Sequence, residues 1–114
     1  MDEIDEQLLK SVAAQLMTKE FVEVAGERLR VRTTSRNRLK TVQFPMKGQE
    51  YEAIEQNPEK LSRWGKLARE GHAVVQFRNL VSGKYDAVSV DGKLLVYGGK
   101  KSGRERRDSS DTSR

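Results

Sequence analysis

Apolar residues near the start of the chain recur at helical spacing. They form one stripe of positions, Ile4, Leu8, Leu9, Val12, Ala13, Leu16 and Met17. Steps of three and four residues place such positions on one side of a helix, and the acidic residues at its start suit the positive end of the helix dipole. The pattern predicts an amphipathic helix over about residues 2–17. Its stripe either packs on the protein's own sheet or pairs with a second copy.

Alternating apolar and polar residues after this helix predict a β-hairpin whose turn is Gly26-Glu27, because Gly suits the first central position of a type II′ turn. The apolar face of this hairpin pairs Val24 with Leu29 and Val22 with Val31. The other face pairs Glu23 with Arg30 and Phe21 with Arg32. A slip of one residue would mix the two faces, so their clean separation supports this register.

The middle of the chain predicts two further strands and a second helix. The strands cover about residues 39–44 and 49–55, with a turn over residues 45–48 between them. Asn57 suits the N-cap of the helix and Pro58 suits its first position, while Gly71 suits its C-terminal end. The apolar stripe of this helix consists of Leu61, Trp64, Leu67 and Ala68.

Three more strands, over about residues 72–78, 85–90 and 93–97, complete the pattern, and Asp91-Gly92 is a strong hairpin signal. The predicted fold class is α+β: an N-terminal helix, a four-strand antiparallel meander, a second helix and a three-strand meander. We expect a curled sheet or an open small barrel. Residues 1–98 are predicted to form a single domain. Residues 99–114 contain no aliphatic or aromatic side chain and are expected to be a disordered basic tail.

The inward positions of these elements predict the buried core. They are Leu8, Val12, Leu16, Val22, Val24, Leu29, Val31, Val42, Phe44, Trp64, Leu67, Val75, Phe77 and Val88. Trp64 is expected to anchor the second helix to the sheet.

Charged residues make up 34% of the chain, well above the share of about 25% that is usual for globular proteins. The net charge is +5, and residues 28–40 contain six basic residues and no acidic one. The acidic N-terminus does not resemble a signal peptide, and no apolar run approaches the length of a membrane span. With no cysteine in the chain either, we expect a cytoplasmic protein that has no membrane partner.

Residues that could support catalysis are scarce. The chain has one histidine, His72, and no cysteine, so a metal site would need clustered carboxylates, which the sequence lacks. His72 follows the end of the second helix and has Glu70 as its only acidic neighbour along the chain, and we expect it to have a structural role or none. Glu50 and Glu52 share one face of a strand, which we expect to be solvated. Since nucleophile and phosphate-loop motifs are also absent, the sequence predicts no enzyme, catalytic residue, metal or cofactor.

A basic cluster is the one candidate binding site. Arg28, Arg30 and Arg32 alternate with apolar residues, so they are predicted to project from one face of one strand. The cluster continues through Arg36, Arg38 and Lys40. Such a row suits the phosphates of a nucleic-acid strand, and Phe21 on the same face suits base stacking. The alternative is a solvated face on which Glu23 and Phe21 occupy the arginines.

These patterns support two functional hypotheses of different classes. The first is a non-enzymatic module that binds nucleic acid through the six cations and Phe21, with little preference for base sequence. The second is a protein-interaction or homo-oligomerisation module that uses the N-terminal helix or a sheet edge. Added salt weakens phosphate contacts steeply and affects an apolar interface little, so salt dependence separates the two.

Overall fold

The protein has an α+β architecture, which a computed structural model describes over residues 5–97. The helices in this range are α1 (Glu6–Thr18) and α2 (Arg63–Arg69). The strands are β1 (Phe21–Val24), β2 (Glu27–Arg30), β3 (Arg32–Thr33), β4 (Lys40–Met46), β5 (Gln49–Glu55), β6 (Val74–Asn79), β7 (Tyr85–Val90) and β8 (Lys93–Val96). The predictions made for residues 1–4 and 98–114, including the tail, lie outside the described residues.

The strands form two antiparallel sheets. β1 and β2 make a two-stranded hairpin, and β3 to β8 make a six-stranded meander in chain order. This larger sheet is not closed, so β3 and β8 are its edges. The α+β class and the antiparallel pairing are therefore confirmed. The four-strand meander predicted before the second helix is instead divided, because β1 and β2 do not join the sheet that β3, β4 and β5 begin.

The N-terminal helix begins later than the sequence predicts. Asp5 is its N-cap, and the side chain of Asp5 accepts a hydrogen bond from the backbone N–H of Leu8 at 3.1 Å. Three residues of the apolar stripe, Leu9, Val12 and Leu16, have no exposed surface. Since α1 packs against β1, β4, β5 and β8, its stripe is buried in the protein's own core.

The core lies between α1, the hairpin and one face of the six-stranded sheet. The Phe44 ring meets the Phe77 ring edge-on at a centroid distance of 6.3 Å and stacks on Tyr51 at 6.1 Å. The predicted core residues that are buried are Val12, Leu16, Val22, Val24, Val42, Phe44, Val75, Phe77 and Val88. Those that are only partly buried are Leu8, Leu29, Val31, Trp64 and Leu67.

The second helix was placed too early by the sequence. Its N-cap is Ser62, whose hydroxyl accepts from the backbone N–H of Gly65 at 3.1 Å. Asn57 caps a local turn instead, with its side-chain oxygen accepting from the N–H of Glu59 at 2.8 Å. Local capping signals of this kind suit both a turn and a helix, so Asn57 and Pro58 did not distinguish the two.

Residues 58–61, which precede α2, are held against the helix by hydrogen bonds from Arg69, and Leu61 in this segment is exposed to solvent. The Arg69 guanidinium donates to the carbonyl oxygens of Pro58 at 2.7 Å and Lys60 at 3.0 Å. A Cβ atom at Gly65 would lie only 2.1 Å from the Lys60 carbonyl oxygen, so this close approach requires glycine. Leu61 is 96% exposed, and its predicted place in the helix stripe is therefore wrong.

The hairpin register differs by two residues from the predicted one. Its turn is Ala25-Gly26, and both residues have positive φ angles, 51° and 83°, as in a type I′ turn. The observed pairs are Phe21–Arg30, Val22–Leu29, Glu23–Arg28 and Val24–Glu27. Because side chains alternate with a period of two, this shift keeps Phe21 to Val24 and Arg28 to Arg30 on their predicted faces while changing their partners. Val31 and Arg32, which were predicted to pair with β1, lie outside the hairpin.

Pro45 lies inside β4, opposite Glu50, and is not part of the turn in which it was predicted. The observed turn consists of Lys47 and Gly48. β3 pairs only with Lys40 and Thr41 of β4. Beyond Thr41, β4 therefore has a strand neighbour on one side only within residues 5–97. A proline is tolerated at such an edge because the missing N–H has no ladder partner there.

His72 has an acidic partner that the sequence did not indicate. Asp91, in the turn between β7 and β8, lies 2.6 Å from His72 Nδ1 through Oδ2. Its Oδ1 accepts from the backbone N–H of Ala73 at 2.8 Å. The pair joins that turn to the start of β6, so the acidic partner of His72 is Asp91 and not Glu70.

This contact predicts a pH dependence of stability. The N–H of Ala73, and next the hydrogen bond with His72, lower the pKa of Asp91. A lowered pKa stabilises the folded protein above the ordinary value of about 4 and loses that contribution as pH falls through the folded value. We expect the Asp91→Asn variant to melt below the wild type at pH 6, and the difference to shrink below about pH 4.

Thermal melting followed by circular dichroism between pH 3 and 7 tests this expectation. Asn accepts the positive φ of 51° found at Asp91, so the substitution removes charge with little backbone strain. Glu59→Gln, in an exposed turn, is the control that should show no such convergence. A difference in melting temperature that stayed constant with pH would exclude a role for the Asp91 charge.

Candidate functional site

The basic cluster is divided between the two sheets. Arg28 and Arg30 lie on β2 in the hairpin, whereas Arg32 lies on β3 in the six-stranded sheet. The strand changes sheet at Val31, whose N–H donates to the Glu20 carbonyl at 2.9 Å. The prediction of three arginines along one strand is therefore wrong. Sequence alternation could not reveal this break, because Val31 keeps the apolar–basic pattern intact.

The fold nevertheless gathers the three arginines around one groove of about 470 Å³. We call it the arginine groove, and its lining residues are Arg28, Leu29, Arg30, Arg32, Thr41, Val42, Gln43 and Glu52. The hairpin supplies β2 on one side, and the six-stranded sheet supplies β3, β4 and β5 on the other. The cations are thus brought together by tertiary packing.

Phe21 orders two of the three arginines. The guanidinium carbons of Arg28 and Arg30 lie 4.3 Å and 5.2 Å from the centre of its ring. The ring therefore contacts these two residues and not Arg32, its predicted partner. A guanidinium that stacks on a ring keeps its in-plane N–H donors available for an anion. Phe21 consequently serves as a support for the arginines, which competes with the predicted role of stacking on a base.

The salt bridge between Glu23 and Arg30 that belonged to the alternative of a solvated face is absent from residues 5–97. Glu23 lies opposite Arg28 in the hairpin register and forms no ion pair with it. Within residues 5–97, the ion pairs are His72–Asp91 and Arg78–Glu52, so none involves an arginine of the groove. The guanidinium groups of Arg28, Arg30 and Arg32 also donate no hydrogen bond within residues 5–97. Three positive charges therefore face the groove without an ionic partner among the described residues.

Glu52 brings the one negative charge of the groove, and its charge is compensated. One carboxylate oxygen accepts from Arg78 at 2.9 Å, and the other accepts from the Thr41 hydroxyl at 2.9 Å. Its side chain is 15% exposed, so the prediction of a solvated Glu52 is wrong, whereas Glu50 is exposed as expected. Cross-strand pairing of Glu52 with Arg78 explains the difference, and this pairing depends on how β5 meets β6.

Gln43 adds an unpartnered polar group to the groove. It lies opposite Glu52 in the register of β4 and β5 and is exposed. Its side-chain amide makes no hydrogen bond within residues 5–97. Sequence reasoning missed Thr41, Gln43 and Glu52 as site residues. They occupy outward positions of two neighbouring strands, and no sequence pattern distinguished them from other outward residues, because they line a site only where β2 approaches β4.

The remaining predicted cations do not line the groove. Lys40 Nζ donates to the carbonyl oxygen of Met17 at 3.3 Å, near the C-terminal end of α1. By strand alternation Lys40 lies on the face of β4 opposite to Thr41 and Gln43. Arg36 and Arg38 are exposed in the loop between β3 and β4. The structure therefore separates the six predicted cations into a groove trio, a loop pair and one lysine bound to the helix end.

The described residues contain neither a metal-type cluster of side chains nor a membrane-spanning helix. No group of three or more histidines, cysteines and carboxylates lies close enough to hold a metal ion within residues 5–97. In the same range, no helix has the length and apolarity needed to cross a bilayer. The chain matches no protein-family model, no curated protein and no solved structure.

Proposed function

We propose that the protein is a non-enzymatic module that binds nucleic acid through the arginine groove. The observation that carries this proposal is the convergence of Arg28, Arg30 and Arg32 on one groove without an ion pair within residues 5–97. Phosphate oxygens match the planar donor geometry of guanidinium groups better than they match a lysine ammonium. The ligand is held by its backbone charge, so binding tolerates changes of base sequence.

The contacts of the arginines favour this reading over a merely solvated face. Arg28 and Arg30 contact the ring of Phe21, so their side chains are partly ordered before a ligand binds. They therefore lose less conformational entropy on binding than an arginine without such a contact. Their charges remain available because Glu23 does not neutralise them. Glu52 is already paired with Arg78, which reduces its repulsion of an incoming phosphate.

The salt dependence of binding tests this proposal. Labelled DNA and RNA of about 12 nucleotides, both single-stranded and duplex, are titrated with the protein, and fluorescence anisotropy gives the affinity. Three phosphate contacts predict a slope of about −2 for log K against log salt on a single strand. A rise from about 50 to about 200 mM salt should then weaken binding about 16-fold.

Two outcomes would contradict the proposal. The first is the absence of binding to every oligonucleotide at about 50 mM salt, where phosphate contacts are strongest. The second is an affinity that does not change with salt. Unrelated base sequences should differ little, and a strong sequence preference would exclude binding that depends mainly on the phosphates.

Self-association is the alternative function, and the burial of α1 bears on which surface would form the interface. The apolar stripe of α1 is buried in the protein's own core, so it offers little surface to a second copy. A sheet edge is the other candidate: within residues 5–97 no strand pairs with the outer side of β8, where Leu95 is 48% exposed and Tyr97 is 38% exposed. Sedimentation over the same salt series distinguishes the proposals, because an apolar contact responds weakly to salt.

A further inference from the structure

We infer that the arginine groove accepts a single-stranded segment in preference to a duplex, with phosphates at the arginines and an unpaired base beside Gln43. This inference rests on the proposed function and deepens it. It follows from the juxtaposition of three cations, one compensated carboxylate and one unpartnered amide in the same groove.

The size of the groove favours one strand. Its volume of about 470 Å³ falls in the range of small-ligand pockets, about 300–1,000 Å³. The two sheets bound it on opposite sides, so its cations line a recess between β2 and β4. Duplex DNA carries its phosphates on the outside of a thick helix whose grooves are about 6 and 12 Å wide. A duplex therefore contacts only the rim, whereas a single strand places its backbone and a base within the recess.

The distribution of charge orients such a strand. The arginines attract the phosphates, while the Glu52 carboxylate repels them from its part of the groove even when paired with Arg78. An uncharged base is accepted beside Glu52 more readily than a phosphate. The backbone is thus expected to follow Arg28, Arg30 and Arg32, with a base directed towards β4 and β5.

The side-chain amide of Gln43 supplies hydrogen-bonding groups that favour the binding of an unpaired base. Its amide offers two N–H donors and one carbonyl acceptor, and none has a partner within residues 5–97. The Watson–Crick edge of a base carries matching donors and acceptors, but base pairing occupies that edge in a duplex. Because an amide can rotate to present either end, Gln43 supports several bases. Single-strand preference is therefore compatible with tolerance of sequence.

A comparison of strand types tests this inference. The affinities of a labelled single strand of about 12 nucleotides and of a duplex of the same sequence are measured at about 100 mM salt with wild type, Gln43→Met and Gln7→Met. Met matches the length of Gln without its hydrogen-bonding groups. Gln7 is exposed on α1 and serves as the matched control. Circular dichroism confirms that each variant is folded.

We expect the wild type to bind the single strand at least tenfold more tightly than the duplex, although the duplex has the higher charge density. Gln43→Met should reduce this ratio to less than about threefold, and Gln7→Met should preserve it. Equal or tighter duplex binding would overturn the inference and leave the proposed function standing. A preference that persists in Gln43→Met would likewise overturn it. Failure of both oligonucleotides to bind, or equal competition by a polyglutamate peptide, would overturn the proposed function as well.

Discussion

Phe44→Ala is expected to lower the free energy of unfolding by about 3–5 kcal/mol, a large part of the stability of a small domain. The Phe44 side chain has no exposed surface and contacts the rings of Phe77 and Tyr51. Its truncation removes apolar burial and leaves a cavity beneath α1, which the neighbouring strands fill only in part. Urea denaturation measures the loss, and the melting temperature should fall by more than about 12 °C.

Leu61→Ala is the matched control, since it also shortens a large apolar side chain. Leu61 is 96% exposed, so this change should alter stability by less than about 0.5 kcal/mol. The pair also tests the corrected start of α2, because a leucine within the buried stripe would cost several times more. A small effect at Phe44 or a large one at Leu61 would contradict the described packing.

Replacing Arg28, Arg30 and Arg32 together by Gln is expected to weaken oligonucleotide binding about a hundredfold at about 50 mM salt. Each exposed phosphate contact is expected to contribute about 1 kcal/mol, which is below the range of about 1.5–3 kcal/mol for hydrogen bonds to charged groups. The slope of log K against log salt should also approach zero, because each lost contact removes a share of the released counterions.

A control with the same change of net charge separates a specific groove from general attraction. Lys10, Lys66 and Lys84 are exposed and do not line the groove, so their joint replacement by Gln removes three positive charges elsewhere. This variant should keep its affinity within about threefold and retain most of the salt slope. If both triple variants lost affinity equally, binding would depend on net charge, and the groove would have no special role.

Much of the local structure could be predicted from the pattern of residues. The spacing of Leu9, Val12 and Leu16 identified α1 and its buried side, and alternation identified both faces of the hairpin. The β5 strand, Gln49–Glu55, was predicted with its observed bounds, and Asp91-Gly92 was correctly placed in a turn. These features depend on contacts between near neighbours or on periodicity, so they are present in the order of residues.

The candidate site was predicted in part. The sequence identified Arg28, Arg30 and Arg32 as one cluster, and the structure places all three around the arginine groove. It did not separate them from Lys40, which bonds to the end of α1. Nor did it identify Gln43, because the outward residue of a strand has no distinctive pattern until the element facing it is known.

The sequence alone determined which sides of α1 and of the hairpin turn inward, which residues carry charge, and that Arg28, Arg30 and Arg32 lie close together along the chain. Only the tertiary structure decided that the chain changes sheets at Val31, that Glu52 pairs with Arg78, and that β2 faces β4 across a groove. Inward and outward side chains alternate every two residues along a strand. A register shift of two residues, or a break between sheets such as the one at Val31, therefore leaves the pattern of apolar and polar residues unchanged. The choice between them depends on packing against distant strands, which is where the arginine groove arises.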